Sequence, residues 1–328
     1  MDIYFEKEYG KLYENQQQGK AEEFILKTEN GVIKNLFIKR KIEIKGIEED
    51  YYDLITPYGY GGPIILEEKN KEKLLEEYTK EFSKYCEKNK IVSEFIRFHP
   101  IYENALDFRT VYDVIFCRKT VGTNIKDYDN PVESEFSKNA KREIRQAVKK
   151  EIKVHIIEEP KDFYNFKKLY YETMNRNDAS EEYYFDDQYF DRILCAFPKD
   201  VLLIELEFED EIIASELYFI KGKILHAHLL GSNGKLLELN AGSLLEATAA
   251  DWGKEHGFNY IHHGGGRTSD PEDSLFKYKK KFGKNTEFNF YVGKKIWNRE
   301  IYNILVDAQN LSEEEKTSEF FPLYRLNK

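Results

Sequence analysis

The stretch Val201-Leu202-Leu203-Ile204-Glu205-Leu206-Glu207-Phe208-Glu209-Asp210-Glu211-Ile212-Ile213-Ala214-Ser215-Glu216-Leu217-Tyr218-Phe219-Ile220 decides the architecture of the chain. Two runs rich in aliphatic and aromatic residues, 201–208 and 212–220, flank the polar Glu209-Asp210-Glu211. Such a pair reads as the two strands of a hairpin. A third strand, 223–230, ends in Gly231-Ser232. A helix follows over about 241–256 and stops at Gly257, because glycine tolerates the left-handed turn that ends a helix. The strand 259–263 then runs into Gly264-Gly265-Gly266.

Working outward, the first half repeats this order. Residues 24–29 and 32–43 alternate apolar and polar around Asn30-Gly31, a strong hairpin signal. The aromatic, glycine-rich segment Tyr51 to Pro63 comes next. Leu74, Leu75, Tyr78, Phe82, Tyr85 and Cys86 recur at helical spacing, and the strand 91–99 is closed by Pro100. An offset of 180 residues lays Phe24 on Ile204, Ile33 on Ile213 and Phe37 on Leu217. The pattern is that of a duplicated α/β unit with mixed sheets, not a solenoid. A polar segment, 123–131, and one helix, 134–150, lie between the copies. The expected organisation is therefore a first domain at 1–133, a basic connecting helix at 134–152, a second domain at 153–310, and an aromatic tail at 311–328 that packs back on the body.

Composition narrows the function. The 328 residues carry 60 acids against 50 bases, a formal net charge of −10, which argues against a DNA-binding protein, since phosphate binding needs excess Lys and Arg. Aromatics at 15% are enough to build cores and exclude a disordered chain. No run of 18 apolar residues is present, and Met1 to Glu6 has no signal-peptide pattern. Cys86, Cys117 and Cys195 are scattered without CxxC spacing. These features lead to an expectation of a cytoplasmic protein with neither a disulfide framework nor a zinc knuckle.

The order strand, strand, strand, loop, helix, strand resembles the GNAT acyltransferase core. Two such units in this length resemble the Fem peptidyltransferases and the wider FemAB-like set. The strings that carry the resemblance are Thr56-Pro57-Tyr58-Gly59-Tyr60-Gly61-Gly62-Pro63, Phe95-Ile96-Arg97-Phe98-His99-Pro100, His226-Ala227-His228-Leu229-Leu230-Gly231-Ser232, His263-Gly264-Gly265-Gly266 and Ser274 to Gly283. It implies two tandem GNAT-like domains and transfer of an acyl or aminoacyl group to an amine of a cell-envelope precursor, a peptidoglycan muropeptide or an amino sugar on a nucleotide or lipid. The co-substrate it implies is aminoacyl-tRNA or acyl-CoA, with no tightly bound cofactor. The chain departs from the coenzyme A pattern: Leu236 to Ser243 holds one glycine and no basic residue where GNAT enzymes cradle the pyrophosphate.

Several constellations could carry the chemistry. Tyr278-Lys279, in an aromatic-Lys-x-x-Phe-Gly setting, resembles the Fem reactive-centre pair. A fixed ammonium there would stabilise the oxyanion of acyl transfer. Lys277, Lys280 and Lys281 crowd the same segment, so a solvated basic helix is the competing reading. His226 and His228, two apart on a strand, are expected to face one way and to supply a base. His262 and His263 are expected to face opposite ways. A metal held by His226, His228 and His263 would need further ligands at suitable spacing, and no metal is expected. Glu216 is a second candidate base, weighed against an ordinary surface glutamate. Tyr58, Tyr60, Gly61, Arg97, His99, His263, Gly265, Arg267 and Tyr278 are candidate substrate contacts, the glycines because they let backbone approach a ligand. Lys138, Arg142, Arg145 and Lys149 make one stripe on the basic helix, suited to tRNA phosphate or to solvent. Two other classes compete with an acyltransferase: a non-catalytic GNAT-fold binder of a nucleotide-linked glycan or tRNA, and, more remotely, a histidine-based metal hydrolase.

Overall fold

Glu209 and Asp210 both take positive φ, 53° and 60°, as a two-residue hairpin turn of matching twist demands. This turn sets the register of the hairpin quoted above, with Phe208 opposite Glu211 and Ile204 opposite Glu216. In the first half the turn falls at Glu29-Asn30, one residue earlier than expected, because Thr28 pairs with Gly31.

The computed structural model describes residues 1–326, so Asn327 and Lys328 of the expected tail lie outside the described residues. From the N-terminus come α1 (Lys7–Leu12), β1 (Gly19–Thr28), β2 (Gly31–Ile42), β3 (Tyr51–Ile55), β4 (Ile64–Glu68), α2 (Lys71–Lys88), β5 (Ile91–Arg97), α3 (Asn104–Asp107) and β6 (Asp113–Asn124). Next are α4 (Pro131–Glu135), α5 (Lys138–Lys149), β7 (Lys153–Glu158), α6 (Tyr164–Arg176), α7 (Asp187–Ala196), β8 (Val201–Phe208), β9 (Glu211–Phe219) and β10 (Ile224–Ser232). The last part holds α8 (Gly234–Glu238), α9 (Gly242–Glu255), β11 (Tyr260–Gly264), α10 (Ser274–Lys280), β12 (Glu287–Ile296), α11 (Arg299–Asp307) and α12 (Glu313–Lys316).

The chain forms two compact units, each discontinuous. The first comprises residues 1–3 and 118–288, the second residues 4–117 and 289–328. In the first unit the strand order is β6-β11-β10-β9-β8-β7, and in the second it is β12-β5-β3-β2-β1, with β4 paired to β2. The two orders correspond. Each unit has a hairpin and third strand (β8-β9-β10 and β1-β2-β3), a helix (α9 and α2), and then a strand parallel to the third (β11 and β5). The fold is mixed α/β with two GNAT-like units. The division differs from a head-to-tail one at residue 133, because the last strand of each sheet comes from elsewhere in the chain. β6 ends in the sheet of the first unit, and β12 pairs with β5 in the second, Val292 opposite Arg97. The helix expected at 134–150 is two helices, because Ser137 accepts from the Ala140 amide and starts α5 anew. α5 packs on α9 inside the first unit.

The core of the first unit lies between its sheet and α5 and α9, around Phe136, Ala140, Ala147, Ile204, Tyr218, Leu225, Leu245, Ala249 and Phe282. The other face of its sheet is covered by α6. A Cβ at Gly231 would stand 2.4 Å from the Tyr170 amide nitrogen, so only glycine admits the helix this close. In the second unit α2 buries Leu74, Tyr78, Phe82 and Cys86 against the sheet. Tyr324 is fully buried there, with its hydroxyl 2.6 Å from Ser93, and Arg325 and Arg40 share the buried carboxylate of Asp53.

Candidate active site

Within the first unit, β10 and β11 run parallel only from Ile224–His226 against Tyr260–His262. Beyond those residues the strands part, and α9 joins them. α9 buries Leu244, Leu245, Ala247, Ala249, Ala250 and Trp252, so almost its whole circumference is covered. Glu246 stands in the middle of that apolar run and is only 6% exposed. Buried carboxylates without a purpose are rare, because desolvation disfavours the charge.

Three more titratable groups meet Glu246 on the α9 side of the sheet. His263 of β11 places Nδ1 3.3 Å from Glu246 Oε2. Glu216 of β9 is 5% exposed, contrary to a surface glutamate, because β9 is an interior strand of the sheet, between β8 and β10. Lys279 of α10 is half-buried and donates from Nζ to the Gly265 carbonyl oxygen at 2.9 Å. Burial pushes Glu216 up to about 7, with the Tyr218 hydroxyl and Lys279 acting the other way. Burial and the Glu216 charge hold Glu246 well above the usual carboxylate range. Burial lowers Lys279 to about 8, while the carboxylates around it act the other way. Burial and then Lys279 lower His263 to about 3, so it is neutral. A cluster of carboxyls, a poised ammonium and a neutral imidazole can take a proton from an amine and stabilise an oxyanion.

Tyr278, beside Lys279, turns its hydroxyl toward the start of α9, where a Cβ on Gly242 would lie 2.9 Å from it. At the same helix start, Ser243 donates to Glu143 Oε2 at 2.5 Å, and Lys281 donates to both Glu143 oxygens at 2.8 and 3.0 Å. A protein carboxylate thus stands at the start of α9, held by the Ser243 hydroxyl and the Lys281 ammonium, where a helix N-terminus favours anions.

The other expected site residues fall in different places. His226 is buried, with Nε2 2.8 Å from Asp2 Oδ2, and its ring packs edge-on to His262. His228 has Nε2 2.6 Å from the Tyr189 hydroxyl, and burial lowers it to about 3. The two rings share a face of β10, as expected: Phe219, paired with His226, packs its ring 4.6 Å from that of His228, and this face is opposite to Leu225 and Ala227, which lie in the core with α9. Neither is among the groups that act on Lys279. His262 and His263 do face opposite ways: His262 meets Thr120, whereas His263 meets Glu246. Among the described residues, His226, His228 and His263 form no common ligand cluster. Arg267 is exposed, and its amide donates to Asp273 Oδ2 at 3.1 Å, so the loop amides serve the N-cap of α10 instead of an exogenous anion.

In the second unit, Arg97 is half-buried and donates from Nη2 to the carbonyls of Thr56 and Pro57, at 2.7 and 3.2 Å. Its Nε is buried without a hydrogen-bond partner among the described residues. Gly61 donates its amide to the Arg97 carbonyl oxygen at 2.8 Å. Tyr58 and Tyr60 are half-buried in an aromatic cluster with Tyr4 and Tyr13. His99 is buried, and its Nδ1 accepts from the amides of Ile101 and Tyr102, at 3.2 and 3.3 Å. On α5, Lys138, Arg142, Arg145 and Lys149 are all exposed, opposite the buried Ala140 and Ala147.

Sequence reasoning missed Glu246, Tyr218, Thr123 and Glu143. The signal for Glu246 was in view, since it is the single charge in Gly242-Ser243-Leu244-Leu245-Glu246-Ala247-Thr248-Ala249-Ala250. The others have no local signal.

Comparison with known proteins agrees with this architecture. Residues 134–280, the segment holding Glu143, Glu216, Glu246, His263 and Lys279, match the acetyltransferase (GNAT) domain. No curated protein sequence matches the chain. The solved structure of FemX is similar over 92% of this chain and 94% of its own, at 13% identity and a TM-score of 0.68. The C-terminal domain of a putative lysylphosphatidylglycerol synthetase from Agrobacterium fabrum is similar over 92% of this chain and 91% of its own, at 10% identity and a TM-score of 0.56. L-PGS from Bacillus licheniformis is similar over 94% and 98%, at 11% identity and a TM-score of 0.53. The chain thus shares the fold of FemX, and residues 134–280 match the acetyltransferase (GNAT) domain.

Proposed function

We propose that this protein is an N-acyltransferase that moves an acyl or aminoacyl group to an amine of a cell-envelope precursor by direct attack. The observation that carries the reading is the half-buried Lys279, within electrostatic reach of the buried Glu216 and bonded to the Gly265 carbonyl just past β11. The Glu216 carboxylate takes a proton from the acceptor ammonium. The freed amine attacks the donor carbonyl carbon, forming the C–N bond while an electron pair moves onto oxygen. The Lys279 ammonium stabilises that oxyanion. Collapse breaks the bond to the donor oxygen or sulfur, which takes the proton from Glu216, and the second amine proton leaves to solvent. No covalent enzyme intermediate is needed.

Two observations support choices of substrate. Glu143 occupies the start of α9, where a coenzyme A pyrophosphate would have to displace it, and this favours aminoacyl-tRNA as donor. The exposed stripe on α5 has the charge and spacing for tRNA phosphates. The second unit by itself offers a candidate binding site for a carboxylate or phosphate, with Tyr58, Tyr60, Gly61 and His99 around the unsatisfied Nε of Arg97. The resemblance of the sequence strings to Fem peptidyltransferases favours a peptidoglycan muropeptide as acceptor, and a cytoplasmic site of action belongs to the same reading. A thermal-shift screen with acetyl-CoA, charged and uncharged tRNA, and nucleotide-linked muropeptides tests it, since a ligand of the native state raises the melting temperature. Stabilisation by acetyl-CoA alone would reverse the choice of donor. No response to any donor would remove the enzymatic reading.

A further inference from the structure

The Thr123 hydroxyl fixes where protons sit around His263. It has one hydrogen, which it donates to the Phe282 carbonyl oxygen at 2.8 Å. The contact of 2.8 Å between Thr123 Oγ1 and His263 Nε2 therefore requires Nε2 to be the donor. His263 Nδ1 is left facing Glu246 Oε2 at 3.3 Å, off the ideal angle for a hydrogen bond. Neither atom has another partner among the described residues. A bare imidazole nitrogen and an ionised carboxylate at this separation would oppose two lone pairs in a buried site. One proton between them removes the conflict, whether it resides on nitrogen or on oxygen.

We propose that Glu246 and His263 form a one-proton couple with the proton on the Glu246 carboxyl, leaving Glu216 as the buried carboxylate that balances the Lys279 ammonium. The proposal rests on the reading of Lys279 as the reaction centre. The groups facing the couple are Glu216 and Tyr218 from β9, Tyr278 and Lys279 from α10, and Thr123 from β6. The cation among them is Lys279, and its charge disfavours an imidazolium beside it. Glu216, an anion when ionised, disfavours a second charge on Glu246. Both neighbours push the proton the same way, from His263 to Glu246. Glu246 and His263 are then positioning residues: they keep one buried carboxylate, not two, opposite Lys279, so that Lys279 retains a titration point near neutrality.

The test reads protonation directly and needs no substrate, so it stands apart from the acyltransferase reading. Nitrogen NMR of histidine-labelled wild-type protein should show His263, assigned with His263→Gln, as the neutral Nε2–H tautomer from about pH 6 to 8. Infrared difference spectra should show an un-ionised carboxylic acid band that Glu246→Gln removes. Titration of Lys279 by NMR should keep its midpoint within about 0.3 in Glu246→Gln and lose on the order of one pH unit in Glu216→Gln, since removing an anion disfavours the ammonium. An imidazolium or an Nδ1–H tautomer in the wild-type spectrum would overturn the proposal, even if neither variant folds. So would a Lys279 midpoint that falls as far in Glu246→Gln as in Glu216→Gln.

Discussion

Replacing Lys279 by Met removes the ammonium and keeps most of the side-chain length. In the folded protein burial lowers Lys279 to about 8 from 10.5, so the fold opposes the charge by roughly 3 kcal/mol. Against this stands the hydrogen bond from Nζ to the Gly265 carbonyl, and a bond from a charged donor contributes about 1.5–3 kcal/mol. The two effects nearly cancel, and the stability of Lys279→Met should lie within about 1 kcal/mol of wild type. The rate should respond quite differently. Loss of one oxyanion donor costs on the order of a hundredfold, about 2.7 kcal/mol of transition-state stabilisation. Loss of the cation also raises Glu216 further and takes the base out of its ionised form near neutral pH. The assay is transfer of a labelled aminoacyl group from charged tRNA to a muropeptide amine, with the melting temperature measured on the same preparation. Lys277→Met is the control, since Lys277 is exposed and pairs with exposed Glu272. Lys281 would be a poor control, because it holds Glu143 at the start of α9. A Lys279→Met enzyme that loses no more turnover than Lys277→Met would refute the placement of the reaction centre.

Turnover should follow a narrow bell in pH, rising through about 7 as Glu216 ionises and falling above about 8 as Lys279 loses its proton; a profile flat from pH 6 to 9 would contradict both roles. Acetyl-CoA should show no micromolar binding by calorimetry, and Glu143→Ala, by vacating the α9 N-terminus, should tighten whatever weak binding exists; tight wild-type binding would move the enzyme to the coenzyme A class. If tRNA is the donor, reversing Arg142 and Arg145 to Glu should weaken its binding and reduce the salt-dependence slope by about two, one for each lost phosphate contact, whereas an unchanged slope would make the stripe a solvated face.

Much of the site was legible in the sequence, but unevenly. Lys279, Tyr278, Glu216 and His263 were all named from motif and position, and they do gather near Glu246. His226 and His228 were named on the same kind of argument and lie elsewhere: they share the face of β10 turned away from the α9 core, and alternation along a strand does not say which of its faces meets that helix. For Glu216 a surface reading competed with that of a base, because a run such as Ala214-Ser215-Glu216-Leu217 does not reveal that both faces of β9 are covered.

What the sequence determined by itself was local. Strand alternation, the two hairpins, the capped helices and the order of elements in each unit follow from side-chain periodicity and turn chemistry, which act between near neighbours. The tertiary structure alone decided which strand completes each sheet, because β6 and β12 pair with partners more than a hundred residues away. It alone placed Glu143 at the start of α9, and Thr123 against a histidine 140 residues further on. The charge states of Glu216, Glu246 and Lys279 also belong to the tertiary structure. They depend on how much water is excluded and which charges are brought together, and no pattern along the chain encodes either.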